Sequence, residues 1–262
     1  MRQILVIALN TFREAIRNRI FASIVAFAVG LLGLTLAISA ASLHEEIRLM
    51  KDVGLFLVST FSALLCVIVG ANLVYKDIER KTIYTILPKP IFRWQFLLGK
   101  YLGVAAMMAV QVAIMGLALA SQFWLLEERF SVVMVQAVWL IYVEVLVVSA
   151  VALLFSSFST PFLSGLLTLG LFAVGRFADR LAEVKLTAGP GEDQATLDVA
   201  SAAARGLSWL APDLSLYNVT PYVVYDTVLP EGFVFHATTS GVLYALLALA
   251  VAALLFSRRD FI

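Results

Sequence analysis

Few residues in this chain could do chemistry, and they are scattered. Glu144 is the one charged residue between Phe130 and Gly175. A carboxyl group near the middle of a membrane span costs about 2.5 kcal/mol or more on insertion scales, and such groups face a bundle interior or a watery cavity. Glu144 is therefore the candidate for a substrate path or a proton relay. The alternative is a protonated or hydrogen-bonded packing group at a helix or subunit contact. No complementary Lys or Arg is expected inside another span, so the expected partner is polar and uncharged or comes from another chain. Cys66 with Met107, Met108, Met115 and Met134 offers soft ligands of the kind copper takes. Methionine in apolar helices is ordinarily packing filler, however, and this spacing specifies no metal site. His44 and His236 stand in different outer loops, and no H-E-x-x-H occurs. Gly99-Lys100 is followed by Tyr101 and lacks the upstream glycine of a phosphate-cradling loop, so no nucleotide site of that type is expected. Asn218-Val219-Thr220 fits the glycosylation acceptor pattern, a match short enough to arise by chance.

The elements that must position these residues are set by composition. The chain has 262 residues, 61% of them apolar and 14% charged, and its mean hydropathy is +0.95. Soluble domains carry about 45–50% apolar and about 25% charged residues, so this surface belongs in a bilayer. The basic surplus is one residue, without a Lys/Arg stripe, which excludes a nucleic-acid binder. A single cysteine allows no internal disulfide and no structural zinc site.

A membrane helix needs roughly 20 mainly apolar residues. Ile20–Leu43, Val53–Tyr75, Tyr101–Leu126 and Phe233–Ser257 are free of Asp, Glu, Lys and Arg. The stretch Phe130–Gly175 would reach about 69 Å as one helix and must fold back. The break reads at Ser156-Ser157-Phe158-Ser159-Thr160-Pro161, where hydroxyl residues and a proline favour a turn and a new helix start. The expected fold is an all-α integral membrane protein forming one domain over 1–262. Its six transmembrane helices are expected at 20–43, 53–75, 95–126, 131–157, 159–178 and 235–257. Small residues such as Gly30, Gly33, Gly165 and Gly170 suit close helix contacts. With both termini placed in the cytoplasm, 12 of the 19 Lys and Arg fall inside, which the positive-inside rule favours. The expected location is the inner (plasma) membrane, crossed several times. The apolar run near the N-terminus is too long for a cleavable signal peptide.

Three segments lie outside the spans. Residues 1–19 place Ile4, Leu5, Ala8, Phe12 and Ile16 on one helical face and arginines on the other, the pattern of an interfacial elbow helix. The inner segment 76–92 sets Ile78, Ile83 and Leu87 among Asp77, Glu79, Arg80 and Lys81, and Pro88 and Pro90 end any helix formed there. It reads either as a short amphipathic helix or as a basic loop that only fixes topology. The outer segment 179–234 is turn-rich around Gly189-Pro190-Gly191 and expected to be helical over Leu197–Leu210. It is then aromatic through Trp209, Tyr217, Tyr222 and Tyr225, a composition suited to the headgroup level. Part of it is expected to dip back into the membrane.

The stretch Asn72–Gly103 resembles the most distinctive region of type-2 ABC transporter permeases. The matching pieces are Glu79, Thr82-Ile83, Leu87, Lys89-Pro90-Ile91, Arg93 and Phe96 to Gly103. Many relatives carry glycine before the threonine, where this chain has Lys81. Leu210-Ala211-Pro212-Asp213 and the tail Phe256–Asp260 extend the similarity, and the subgroup it most resembles is the permeases grouped with copper maturation of nitrous oxide reductase. The resemblance implies that the segment between spans two and three is a coupling helix docking on a separate ATPase subunit through Asp77, Ile78, Glu79, Arg80, Lys81, Thr82, Ile83 and Tyr84. Ser156, Ser157, Phe158, Ser159 and Thr160 would form a second cytoplasmic contact. It further implies two ATPases, which would bind the ATP and magnesium, and a second permease copy, identical or paralogous. It leaves room for a periplasmic accessory protein, gives this chain no cofactor and no enzymatic site of its own, and puts substrate near the dimer axis with the outer segment as a cap.

Three other readings compete. A stand-alone secondary transporter or channel would be expected to show inverted repeats with broken helices, which the chain lacks. A membrane-embedded enzyme would need a second catalytic group beside Glu144. A motor-linked assembly or gliding component stays within the same family. Substrate identity and transport direction are not encoded in any recognisable motif.

Overall fold

A computed structural model describes residues 2–41, 46–72, 92–126, 131–177, 206 and 212–257. Among them every regular element is helical. Two helices open the chain, α1 (Arg2–Ile16) and α2 (Arg19–Ala41), and α3 (Glu46–Ala71) follows. Farther along come α4 (Arg93–Leu125), α5 (Val132–Phe158) and α6 (Pro161–Arg176). The segment before the last helix contributes a 3-10 turn at Ser215–Tyr217 and the short α7 (Thr220–Val224), and α8 (Phe233–Ser257) follows. The inner residues Asp77–Tyr84, the expected helix 197–210 and the tail 258–262 lie outside the described residues.

Four described helices, α3, α4, α5 and α8, are long and apolar enough to cross a membrane. The pair α1 and α2, bent by 60° at the intervening break, makes a fifth if counted as one span. The sixth expected crossing, α6, has 16 residues, about 24 Å, and so falls short of roughly 30 Å of hydrocarbon. The hairpin before it forms where expected. The Ser159 N–H bonds to Phe155 O at 3.0 Å, Thr160 is extended, and Pro161 takes the first helical turn, where its missing N–H is harmless.

Helix α5 is the hub, packing against α3, α4, α6 and α8. It shows no apolar stripe because it is apolar on every side, as a helix enclosed by others should be. The main core gathers Met50, Leu55, Leu65, Met107, Met115, Leu119, Met134 and Leu140 between α3, α4 and α5, and Cys66 is buried with them. Near the start of α4 a smaller cluster of Phe96, Leu97, Leu153, Leu249 and Phe256 joins α4, α5 and α8.

Helix α1 lies along the first half of α4, and glycines make that approach possible. A Cβ on Gly103 would sit 2.7 Å from the Ala8 carbonyl oxygen and 2.6 Å from Thr11 Cβ, and one on Gly99 would sit 2.8 Å from Ile7 Cβ. Of the small residues that the sequence suggested, Gly165 meets a neighbour, Ala71 Cβ lying 3.5 Å from where its own Cβ would stand, whereas among the described residues nothing lies within 4 Å of a Cβ on Gly30, Gly33 or Gly170. These three glycines close no contact with the described residues. Arg93 closes the same end of the bundle by donating to the carbonyls of Phe256 at 3.1 Å and Ser257 at 2.8 Å, which caps the C-terminus of α8 with a cation. Helix α3 begins seven residues before the charge-free run at Val53. Its extra turns are tolerated because Lys51 pairs with Asp226 at 2.5 Å and Arg48 lies over the Tyr225 ring. Asp226 holds a positive φ of 51°, a conformation aspartate accepts more readily than most residues.

Gly103→Ala should lower the thermal unfolding midpoint in detergent, by an overpacking cost of about 1–3 kcal/mol, since backbone cannot move aside. Gly30→Ala, with open space around it, should leave the midpoint unchanged or raise it slightly through helix propensity.

Candidate functional site

The hairpin of α5 and α6 sets the depth of the site. Glu144 lies fourteen residues before the end of α5, about 21 Å back along its axis, and Arg176 lies fifteen residues beyond the start of α6, about 22 Å along its own. The two side chains therefore meet at one level. The Arg176 Nη1 donates to Glu144 Oε1 at 2.5 Å and to Ser59 Oγ on α3 at 2.7 Å, and Ser59 Oγ lies 3.0 Å from Glu144 Oε2. The Glu144 side chain is 1% exposed and that of Arg176 18%. The expectation of an uncharged or foreign partner for Glu144 is thus overturned, because the counter-charge is Arg176 of the same chain. It was overlooked because it ends a helix too short to carry it clear of the bundle.

The chain returns over this pair. Leu214 N–H donates to Gly175 O at 3.0 Å, and a Cβ on Gly175 would sit 2.5 Å from Pro212 O. Glycine at 175 is what lets irregular backbone approach the helix end, and the bond satisfies a carbonyl that the end of α6 would otherwise leave open. Tyr217 is buried, its hydroxyl 2.8 Å from where a Cβ on Gly241 of α8 would stand. It therefore packs into the bundle, whereas Tyr225 and Phe235 are exposed as interfacial aromatics should be. A void of about 10 Å³, near the minimum for one water, is bounded by Ser59, Ile141, Glu144, Arg176, Tyr217 and Asn218 among others. Arg176, Asn218 and Thr220 also line a second, more open cavity of about 280 Å³.

The remaining candidates separate. Cys66, Met107, Met108, Met115 and Met134 are buried core residues, and Cys66 Sγ lies 3.7 Å from Val145 O. His236 is exposed, and His44 lies outside the described residues. Of the five residues at the α5–α6 turn, Ser156, Ser157 and Ser159 are buried, and Ser156 Oγ donates to Ala71 O at 3.3 Å. Phe158 and Thr160 are exposed. The coupling residues Asp77, Ile78, Glu79, Arg80, Lys81, Thr82, Ile83 and Tyr84 lie outside the described residues. Sequence reasoning missed Ser59 and Arg176. Arg176 had a signal, since it falls within the span expected at 159–178, whereas a lone serine in an apolar helix gave none.

The family described as ABC-2 family transporter protein matches residues 5–261. No curated protein matches the chain.

Breaking a buried ion pair from one side leaves an uncompensated charge, at about 3–5 kcal/mol, while replacing both partners can be nearly neutral. Glu144→Gln and Arg176→Gln should each lower thermal stability in detergent strongly, and the double variant should recover most of the loss. Additive losses in that cycle would show that the pair carries no coupling.

Proposed function

Because the chain belongs to the ABC-2 transporter family, we propose that it is the membrane-spanning permease subunit of an ABC transporter and that it couples ATP hydrolysis by a separate ATPase subunit to movement of a substrate. The match across almost the entire chain carries this reading. It makes the protein a multi-pass membrane protein that works with an ABC ATPase and does not itself hydrolyse ATP, the ATP and magnesium being held by that partner.

The finer assignments extend the same reading. Helices α2, α3, α4, α5 and α8 each cross the plasma membrane, and the short α6, with the segment at Pro212–Tyr217 packed over its end, makes the sixth crossing, with α1 as the interfacial elbow and both termini cytoplasmic. Two observations support this arrangement: α1 packs beside the start of α4, and Arg93 ties that start to the end of α8. The excess of Lys and Arg at that end orients it inward. Asp77–Tyr84 is the coupling helix, with Glu79 and Arg80 as charged contacts and Ile83 as an apolar anchor, and Phe158 and Thr160 offer the second contact. The functional unit holds two permease copies and two ATPases, with room for a periplasmic accessory protein. Membership of the nitrous-oxide-reductase copper-maturation subgroup rests on the sequence resemblance alone.

Combining Glu79→Lys with Arg80→Glu reverses both charges at the ATPase contact, where like-charge juxtaposition costs several kcal/mol. With the partner ATPase reconstituted beside it, this variant should lose the permease-dependent change in ATP hydrolysis rate by roughly tenfold or more while accumulating normally in the membrane. An unaltered rate would count heavily against the coupling role.

A further inference from the structure

The second cavity opens between α3 and the returning segment at α7. Its wall includes Asp52, Phe56, Arg176, Pro221, Val224 and Tyr225. Both protein acceptors of Arg176 are reached through Nη1. Its Nε and Nη2 groups have no acceptor among the described residues and are not sealed from solvent. Arg176 lines this cavity, and the Nε/Nη2 edge is the part of its guanidinium that Glu144 and Ser59 leave unused. That edge of a guanidinium is the fork that meets two oxygens of one carboxylate or phosphate. Glu144 already balances the Arg176 charge, so the fork offers directed hydrogen bonds more than net attraction.

Asp52 supplies the complement. It is exposed at the cavity wall and has no ion pair or hydrogen bond with a described residue. The nearby acid Asp226 is already taken by Lys51. A purely anionic ligand would place its charge against an unpaired carboxylate, and a purely cationic one would leave the fork of Arg176 unused. A ligand carrying both an oxyanion and an ammonium group satisfies both. Phe56, Pro221, Val224 and Tyr225 provide an apolar flank, and Phe56 and Tyr225 are themselves exposed.

We propose that this cavity is a binding site for a zwitterionic amphiphile, whose oxyanion sits on the Nε/Nη2 fork of Arg176 and whose ammonium group faces Asp52. A lipid headgroup and a free amino-phosphate solute share this chemistry. The site is separate from the ATPase contact, so its occupancy does not depend on the coupling role.

The test is calorimetric titration of the full chain in neutral maltoside micelles. The probes are short-chain dihexanoyl phosphatidylethanolamine, its phosphatidylglycerol counterpart, which lacks the ammonium, and water-soluble glycerophosphoethanolamine. The ethanolamine lipid should bind more tightly than the glycerol lipid, and Asp52→Asn should abolish that preference. The double variant Glu144→Gln with Arg176→Gln, which removes the fork without orphaning a charge, should weaken binding roughly tenfold or more, with a thermal melt verifying that it is folded. Binding of glycerophosphoethanolamine as well would identify the headgroup alone as sufficient, and binding of the lipid only would identify a membrane source. Equal binding of both lipids to the parent chain, or unchanged affinity in the folded double variant, would overturn the assignment.

Discussion

An arginine and a glutamate joined at one level inside an apolar bundle are the constraint around which the rest of this structure is arranged. Neither charge could be left alone there, because an isolated ion in such surroundings is strongly destabilised. The pair requires α6 to stop after 16 residues, so that its last residue reaches Glu144 rather than the end of the bundle. A helix that stops at that depth leaves carbonyl groups open, and irregular backbone at membrane depth is tolerated only where protein covers it. The returning segment provides that cover, with Leu214 bonded to Gly175 and Tyr217 packed at Gly241. One electrostatic requirement thereby explains a short helix, two glycines and the inward course of a segment outside the long helices.

At the opposite end the organising force is close packing. Gly99 and Gly103 let α1 lie against α4, while Arg93 fastens the start of α4 to the end of α8. Helix α4 also follows directly on the inner segment. A displacement of that segment would thus reach α1 and α8 through contacts too tight to absorb it, because packed interiors shift as units. Farther along α4, Gln122 binds Leu32 O at 2.6 Å and Thr35 Oγ1 at 3.0 Å, which holds α2 to the same helix.

Much of this was legible in the sequence, and the misses have physical causes. Long apolar runs gave the helices, and Ser159-Thr160-Pro161 gave the hairpin, since both signals are local. Glu144 stood out because it is a lone acid. Its partner was passed over although the span expected at 159–178 contains it, because a scan for charge-free runs treats a terminal arginine as a flank. Gly165 meets Ala71 as expected, but Gly30, Gly33 and Gly170 were misjudged for a related reason. Composition shows that Gly30 and Gly33 are small, but helix rotation decides whether a small residue meets a neighbour, and uniformly apolar helices carry no stripe to fix that rotation. The family resemblance was carried by the inner segment and the start of α4, where polar and apolar residues alternate enough to be distinctive.

The central claim is that the segment between α3 and α4 faces the compartment where a soluble ATPase could grip it. The most direct measurement places a single cysteine at position 79 in a Cys66→Ala background and treats sealed, right-side-out membranes with an impermeant maleimide. The account predicts no labelling until the inner face is opened, and then protection by the bound ATPase. Labelling of intact membranes from outside would contradict it.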